Sequence, residues 1–204
     1  MRILEFITKI FQNLQGFGIG SYSLSLEIRN VKKVLKKPKI IFDVGGNKGE
    51  YSKRLFKTFK NSKIYIFEPS KLNHSISIKR FKNNNVVINN VAVSDKNESS
   101  KLYFSKQGEG IASLSKRKLD HFDINFNFSE EVTVITLKKF MVENKINKID
   151  FLKLDIEGFE LNALKGLEYF IHKVGLIQFE FGGCNIDTRT FFQDFFYFFK
   201  SKNF

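Results

Sequence analysis

Short apolar runs alternate with amphipathic stretches along most of the chain. The runs have the length of buried strands. The first begins near Ile40, and the others lie at residues 64–67, 86–93, 149–154 and 176–181. Between them, apolar residues recur at the spacing of one helix face, as over residues 51–59. This alternation predicts an α/β fold with a doubly wound, mostly parallel sheet.

The alternation fails between the third and fourth predicted strands. We expect a β insertion there, near the strand ends where ligands bind in parallel sheets. Its short strands are expected at residues 101–105 and 132–135. Its turns or loops are expected at residues 107–110 and 123–129. Long ordered insertions at such an edge commonly shape specificity, so His121 and Asp123 are candidate substrate contacts. A mobile surface loop is the alternative interpretation.

The N-terminal segment has its apolar residues on one helical face over residues 1–14. Glu5 and Lys9 interrupt any continuous apolar run, which argues against a secretory signal or a transmembrane span. A helix that covers the sheet is the preferred interpretation, and an interfacial membrane helix is the alternative. A second helix is expected at 24–35, so we divide the chain into a helical segment, 1–38, and a ligand-binding domain, 39–204.

The C-terminal stretch at 190–200 predicts a helix rich in phenylalanine. The chain stops at Phe204, and the four residues after Lys200 are too few to add a further strand to the sheet. We therefore expect a truncated C-terminus, an open sheet edge at 176–181 and a homo-oligomer formed through that edge. The alternative is that the helix folds back and covers the edge.

Composition and charge change this picture little. The 204 residues, 42% of them hydrophobic, suit a single globular domain. The net charge of +13 would suit a nucleic acid or a membrane surface. However, the lysines are spread along the chain, and a general compositional bias explains them without a partner, so no specific nucleic acid is expected. The single cysteine, Cys184, fits a reducing compartment and a cytoplasmic location.

A glycine-rich loop follows the first predicted strand directly. Asp43 precedes Gly45, Gly46, Asn47 and Gly49, in the position where a parallel sheet binds its ligand. Three glycines favour a close approach of the backbone to a ligand, although an ordinary strand-to-helix turn is the alternative.

The residues of this loop favour a cationic ligand over a phosphate. Asn47 stands where the dinucleotide-binding fingerprint needs its second glycine. S-adenosylmethionine (SAM) carries a sulfonium and an ammonium group and no phosphate, so it suits a loop beside carboxylates. Asp43 could pair with the ammonium. Glu68, at the end of the second strand, could accept hydrogen bonds from both ribose hydroxyls, with a surface acid as the alternative.

Four motifs in order resemble those of the FkbM family of SAM-dependent methyltransferases. They cover most of the chain from about residue 40 to 181 and read Asp-Val-Gly-Gly-Asn-Lys-Gly-Glu-Tyr-Ser at 43–52, Phe-Glu-Pro at 67–69, Val-Ala-Val-Ser-Asp at 91–95 and Ile-Asp-Phe-Leu-Lys-Leu-Asp-Ile-Glu-Gly-Phe-Glu at 149–160. The resemblance implies a Rossmann-like class I methyltransferase that binds SAM. It also implies O-methylation of a sugar, a glycan or a secondary metabolite. Tyr51 joins the expected cofactor site, and Asn90, Val91 and Ala92 lie where the adenine edge would rest in that family.

The fourth motif supplies the candidate catalytic acids. Asp155 and Glu157 follow the fourth sheet strand, so they should lie at the same sheet edge as Asp43 and Glu68. An alcohol becomes a good nucleophile only when a base removes its proton, and we expect Asp155, or else Glu157, to act as that base. The same pair could bind Mg²⁺ or be merely structural. No cluster of His or Cys residues suggests zinc.

Other methyl acceptors leave different signatures. Amino methylation of bases usually accompanies a Pro-Pro motif, and this chain has only Pro38 and Pro69. Methylation of base carbon usually shows Pro-Cys, whereas Cys184 follows Gly183. The leading hypothesis is therefore an O-methyltransferase that acts on a hydroxyl. The rival is a protein with the SAM-binding fold that binds nucleic acid or a protein partner without turnover.

Overall fold

The computed structural model describes residues 21–82 and 84–204. Its strands are β1 (Ile40–Val44), β2 (Lys63–Phe67), β3 (Val86–Asn89), β4 (Ala92–Val93), β5 (Glu98–Phe104), β6 (Lys118–Leu119), β7 (Ile124–Asn125), β8 (Phe128–Ile135), β9 (Phe151–Leu154) and β10 (Ile177–Phe179). Its α-helices are α1 (Ser21–Val34), α2 (Glu50–Thr58), α3 (Lys71–Arg80), α4 (Leu137–Glu143), α5 (Glu160–Lys165), α6 (Cys184–Asp187) and α7 (Phe192–Ser201). Short 3₁₀ segments lie at Asp120–Phe122 and Glu168–Lys173. The N-terminal helix expected at 1–14 lies outside the described residues.

Five parallel strands form the central sheet, in the order β10-β9-β1-β2-β3. The order reverses at β1, because the chain first moves outward through β2 and β3 and then returns to β9 on the other side. This arrangement confirms the α/β fold with a doubly wound, mostly parallel sheet. Ligands bind in such sheets at the carboxyl ends of the strands that flank the reversal.

Alternate residues of the strands pack into two separate layers. Ile41 and Ile64 face the layer that contains α1 and α2, whereas Phe42 and Val44 face the layer that contains α4, α5 and α7. In the second layer the Phe42 ring lies 5.6 Å from the ring of Phe140 on α4. The sheet is therefore buried on both faces, which explains the continuous apolar runs of its strands.

Local sequence sets the starts of two helices. The Ser70 hydroxyl accepts a hydrogen bond from the Asn73 backbone N–H at 3.5 Å, so Ser70 caps α3. The Thr136 hydroxyl caps α4 in the same way, at 3.2 Å from the Lys139 nitrogen. Each cap lies shortly after the end of a strand, β2 for Ser70 and β8 for Thr136, and marks where the helix begins.

The third predicted strand is divided between two sheets. Residues 86–93 were expected to form one strand, but β3 ends at Asn89, and β4 pairs with β8 of a second sheet. The reason lies at Asn90, whose side-chain amide donates to the carbonyl oxygens of Glu68 and Pro69, at 2.9 and 2.8 Å. These bonds turn the chain away from the central sheet.

The expected β insertion is present and is more regular than its sequence indicates. β5 and β8 pair antiparallel over seven residues each, so the second sheet has the order β4-β8-β5. Residues 123–129 were expected to be loop, yet they contain β7 and the start of β8. The difference arises because cross-strand pairing, which a local pattern does not reveal, extends both strands.

Candidate active site

A cleft that is partly open to solvent lies at the carboxyl ends of β1, β2 and β9. The sheet supplies Gly45, Asn47, Glu68, Asp155 and Glu157 to its walls. The insertion covers the opposite side with Leu102, Glu109, Gly110, Ala112, Ser113 and Leu114. The cleft therefore lies where the reversal of strand order predicts a ligand site, and the insertion forms one of its walls.

The glycines of the loop after β1 are required by close packing against protein atoms. Gly45 has φ +80°, and a Cβ there would lie 1.8 Å from the carbonyl oxygen of Asp155. A Cβ at Gly46 would lie 2.2 Å from the Ile66 side chain. The loop thus lies tightly on the ends of β2 and β9, and Gly45 and Asn47 border the cleft.

Asp43 is fully buried beneath this loop. Its carboxylate accepts a 2.6 Å hydrogen bond from the Ser52 hydroxyl and lies 3.4 Å from the ammonium of Lys153. The Lys153 Nζ also lies 4.9 Å from the centre of the Tyr51 ring, and the Tyr51 hydroxyl donates to Gln178 at 2.8 Å. Asp43 and Tyr51 therefore lie behind the cleft wall, and neither lines the cleft.

Lys153 connects Asp43 to Asp155. Its ammonium lies 3.0 Å from the Asp155 carboxylate, and the two strand positions Asp43 and Lys153 are paired across β1 and β9. Burial disfavours the charged ammonium, but the two carboxylates outweigh it and leave the pKa of Lys153 above its ordinary value. An ionised lysine thus lies behind the cleft between the two acids.

Asp155 forms a second contact, with Glu180 just beyond β10. Burial disfavours ionisation of Asp155, but Lys153 and a hydrogen bond with Glu180 leave the pKa of Asp155 below its ordinary value. The same hydrogen bond, together with burial, raises the pKa of Glu180 to about 8. Near neutral pH, Asp155 is therefore the ionised member of the pair and Glu180 carries the proton.

Glu157 is paired with a cation from the insertion. Its carboxylate lies 2.6 Å from the guanidinium of Arg117, which also contacts Asp187 of α6 at 3.1 Å. Burial raises the pKa of Glu157 to about 7, although Arg117 opposes this shift. A carboxyl group that titrates near neutral pH therefore lines the cleft next to Asp155.

The backbone of the Asp155–Gly158 turn is fixed from three sides. Glu157 has φ +54°, which is uncommon for a residue with a side chain. The Glu160 carboxylate accepts hydrogen bonds from the Ile156 and Gly158 N–H groups, at 2.8 and 3.1 Å, and the Ser113 hydroxyl donates to the Glu157 carbonyl at 2.9 Å. These contacts stabilise a strained conformation that directs Glu157 into the cleft.

Glu68 forms the opposite end of the cleft. Its carboxylate accepts hydrogen bonds from the backbone N–H groups of Asn47, at 2.7 Å, and Ser70, at 2.9 Å. The Asn73 side chain also hydrogen-bonds it. Burial raises the pKa of Glu68 to about 7 in spite of these bonds. The side-chain oxygens of Asn47 and Asn73 are buried and have no hydrogen-bond partner among the described residues.

The remaining candidates are divided between the cleft and the surface. Val91 and Ala92 line the cleft, whereas Asn90 lies beside it with its amide bound to backbone carbonyls. His121 and Asp123 are exposed on the insertion and do not line the cleft. The wall that the insertion contributes comes instead from residues 102–114.

Sequence reasoning missed Lys153, Arg117 and Asn73. A lysine inside the apolar run of β9 was a visible signal, because a buried cation needs an acid partner. Arg117 left no such signal, since its partners Glu157 and Asp187 lie 40 and 70 residues away.

Among the described residues, no group of three or more His, Cys, Asp and Glu side chains is placed to bind a metal ion. Of the described helices, none is long and apolar enough to cross a membrane.

Comparison with known proteins agrees with this geometry. The family model described as "Methyltransferase FkbM domain" matches residues 43–204, which include the glycine loop, Glu68 and the Asp155–Gly158 turn. Neither the search of curated proteins nor the search of solved structures returned a match.

Proposed function

The chain belongs to the FkbM family of methyltransferases, and from this premise we propose that it is a SAM-dependent O-methyltransferase. The proposed acceptor is a hydroxyl of a sugar, a glycan or a secondary metabolite. The observation that carries the proposal is the charge of the cleft. Its charged lining residues are Glu68, Glu109, Asp155 and Glu157, and no lysine or arginine lines it among the described residues.

An acidic cleft suits SAM better than a phosphate-bearing cofactor. The ligand carries a sulfonium and an ammonium, and carboxylates in a partly buried site attract both charges. A pyrophosphate would instead be repelled by four acids in a protein whose net charge is +13. The unpaired side-chain oxygens of Asn47 and Asn73 can accept hydrogen bonds from a nucleoside that offers donors.

Each cofactor residue then has a proposed part. Glu68 accepts from the ribose, and Val91 and Ala92 border the adenine. The loop of Gly45, Gly46, Asn47 and Gly49 shapes the wall beside the methionine portion. Asp43 and Tyr51 act indirectly, because Asp43 pairs with Lys153 and Tyr51 packs beneath it. We therefore propose that Asp43 positions Asp155 through Lys153 and does not itself contact the ammonium.

The acids of the Asp155–Gly158 turn are proposed to act on the acceptor hydroxyl. SAM supplies an electrophilic methyl group on its sulfonium. Glu157, whose pKa is about 7, is matched to removing a proton near neutral pH. Asp155, held ionised by Lys153, provides negative charge in the same cleft. The structure thus favours Glu157 as the base and Asp155 as the charged neighbour, the reverse of the order expected from sequence.

Calorimetric titration with SAM, S-adenosylhomocysteine and NAD tests the cofactor proposal. We expect the first two to bind and NAD not to bind, and the same two ligands to raise the melting temperature. Tight binding of NAD without binding of SAM would end the methyltransferase interpretation. A Glu68→Ala protein should bind SAM more weakly by about ten- to a hundredfold, since it loses a charge-assisted hydrogen bond.

A second candidate function rests on the opposite edge of the sheet. Lysines gather near the amino ends of the strands, at residues 36, 37, 39, 57, 60, 63, 145 and 148. They would suit nucleic acid bound to a protein of this fold without turnover. Phosphate contacts weaken steeply as salt rises, whereas SAM binding in a cleft changes little, so titrations at two salt concentrations separate the candidates.

The lone cysteine, Cys184, which is free and buried, supports a proposed cytoplasmic location.

A further inference from the structure

The carboxylate of Glu68 has little capacity left for a ligand. A carboxylate offers about four lone-pair sites. The backbone N–H groups of Asn47 and Ser70 occupy two of them, and the Asn73 side chain occupies a third. Glu68 can therefore accept from one hydroxyl of a bound ribose, while the second hydroxyl needs another acceptor.

Asn73 provides an acceptor beside Glu68. It lies in the first turn of α3, is 1% exposed, and lines the cleft. When Glu68 is ionised its carboxylate can only accept, so the Asn73 amide then turns its NH₂ group toward Glu68. Its oxygen then faces away from Glu68, and this oxygen is buried and has no hydrogen-bond partner in the part of the chain that the structure describes. A buried polar atom that is left unpaired is costly, so this oxygen calls for a donor.

The insertion packs closely against this oxygen through a glycine. Gly108 has φ +75°, and a Cβ there would lie 3.3 Å from the Asn73 side-chain oxygen. Gly110 similarly faces Asn47, where a Cβ would lie 3.2 Å from the side-chain nitrogen. Two glycines thus keep the insertion's side chains away from the two amides that flank Glu68.

We propose that Asn73 is a second ribose-binding residue, whose side-chain oxygen accepts one hydroxyl of the cofactor's ribose while Glu68 accepts the other. The inference rests on the proposed function, because it takes the ligand to be an adenosine derivative. It deepens that function by dividing the vicinal diol between a carboxylate and a neutral amide. It also gives the α3 cap a functional consequence, since Ser70 fixes the turn that presents Asn73.

The test uses S-adenosylhomocysteine and its 2′-deoxy and 3′-deoxy analogues, titrated into the wild-type chain and into Asn73→Leu. Leucine has a similar size and no polar atom. We expect Asn73→Leu to weaken binding of S-adenosylhomocysteine by about tenfold or more. For the analogue that lacks the hydroxyl bound by Asn73, the substitution should have little further effect. Ser75→Ala is the control, because Ser75 is a half-buried residue of α3 that does not line the cleft and whose hydroxyl donates to the Leu72 carbonyl.

Several outcomes would overturn the inference. Equal weakening of all three ligands by Asn73→Leu would show that the residue only supports the structure. Undiminished binding of both deoxy analogues by the wild-type chain would also overturn the inference. This measurement remains decisive if Asn73→Leu does not fold. If Asn47→Leu, and not Asn73→Leu, no longer distinguishes S-adenosylhomocysteine from a deoxy analogue, the second acceptor is Asn47 and the inference is wrong. Failure of the wild-type chain to bind S-adenosylhomocysteine would defeat the proposed function itself, whereas binding unaffected by Asn73→Leu would defeat this inference alone.

Discussion

Lys153 is the residue on which the acidic site depends. Its side chain is 7% exposed, and it lies between Asp43, which is fully buried, and Asp155. Removing one member of a buried ionic cluster leaves the other charges unpaired, which typically costs about 3–5 kcal/mol. A lysine inside a strand is therefore an essential partner of the acids here, although it touches no part of the cleft.

We expect Lys153→Met to lower the free energy of unfolding by about 3 kcal/mol or more, as measured by denaturant titration. Methionine preserves most of the side-chain volume, so the loss reports the missing charge. Lys63→Met is a matched control, because Lys63 also lies over a tyrosine ring, at 5.2 Å from Tyr65, but on an exposed strand end. A loss of less than about 1 kcal/mol in Lys153→Met would contradict a structural ion cluster.

The assignment of the base gives a second prediction. Glu157→Gln should bind SAM but transfer its methyl group more slowly, by on the order of a hundred- to ten-thousandfold. Transfer of a tritiated methyl group to a panel of hydroxylated compounds provides the measurement, with the exposed Glu143→Gln as control. If Asp155→Asn is the slower of the two variants, the order expected from sequence is the better one. Loss of wild-type activity on chelation, restored by Mg²⁺, would favour a metal.

The residues that sequence reasoning identified are those whose signal is local. The glycine loop, Glu68 and the acids after β9 each follow an apolar run directly, so the pattern locates them at one sheet edge. Their partners lie far away in sequence. Asp43 pairs with Lys153, and not with a ligand, because of the register of β1 against β9. No local pattern reveals this register.

At the scale of elements, the insertion is anchored to the site through Arg117. This side chain is 8% exposed and joins Glu157 of the central turn to Asp187 of α6. The Lys118 backbone N–H also approaches Asp187, at 3.4 Å. A single arginine therefore connects three parts of the fold that are distant in sequence.

Arg117→Gln should detach this anchor and raise the pKa of Glu157 further, because the guanidinium now opposes the effect of burial. The side-chain ¹³C shifts of labelled glutamate, followed against pH, measure this pKa directly. Lys116→Gln removes the same charge from an exposed neighbour and should leave it unchanged. An unchanged Glu157 titration in a folded Arg117→Gln protein would show that the pair is not formed in solution.

Element boundaries were predictable where a strand is buried on both faces. The apolar runs of β1, β2 and β9 gave positions within two residues, because burial on both sides leaves no polar interruption. The insertion was less predictable. β5 and β8 have mixed patterns with exposed faces, and their length depends on pairing with each other.

At the scale of the whole molecule, the carboxyl edge of the sheet concentrates acids whose ionisation is disfavoured. The pKa values of Glu68 and Glu157 are raised to about 7 and that of Glu180 to about 8. Burial is the main cause for the first two, and the hydrogen bond with Asp155 is the main cause for Glu180. The folded chain therefore binds more protons than the unfolded chain between about pH 4.5 and 8.

The sign of this linkage predicts that the free protein loses stability as pH rises through that window. Its melting temperature should fall from pH 5 to pH 8, and Glu157→Gln should reduce the slope.

SAM carries a sulfonium charge that favours the ionised acids, so its binding should release protons and strengthen with pH. S-adenosylhomocysteine should release fewer. Titrations in buffers of different ionisation enthalpy count the protons, and a melting temperature that rises over this range would contradict the linkage.

The last prediction concerns the outer face of α7. On its inner side Phe195 is buried and stacks on Phe179 of β10 at 4.5 Å, whereas Phe192 and Phe196 are 60% and 55% exposed. The Phe192 ring lies 5.4 Å from the ring of Phe181, just beyond β10, and β10 pairs only with β9 among the described strands. A contiguous aromatic face next to a strand edge favours association, so we expect the 204-residue chain to form dimers or larger species.

Light scattering on the purified chain and on a Phe192→Ser, Phe196→Ser double variant measures this association. The double variant should shift toward monomer and bind SAM with unchanged affinity, because α7 does not line the cleft. Phe122→Ser removes a ring that is 66% exposed on the insertion and should leave the distribution of species as it is. A wild-type chain that is monomeric at every concentration would show that these rings do not drive association, because the mass-action equilibrium of a dimer depends on concentration.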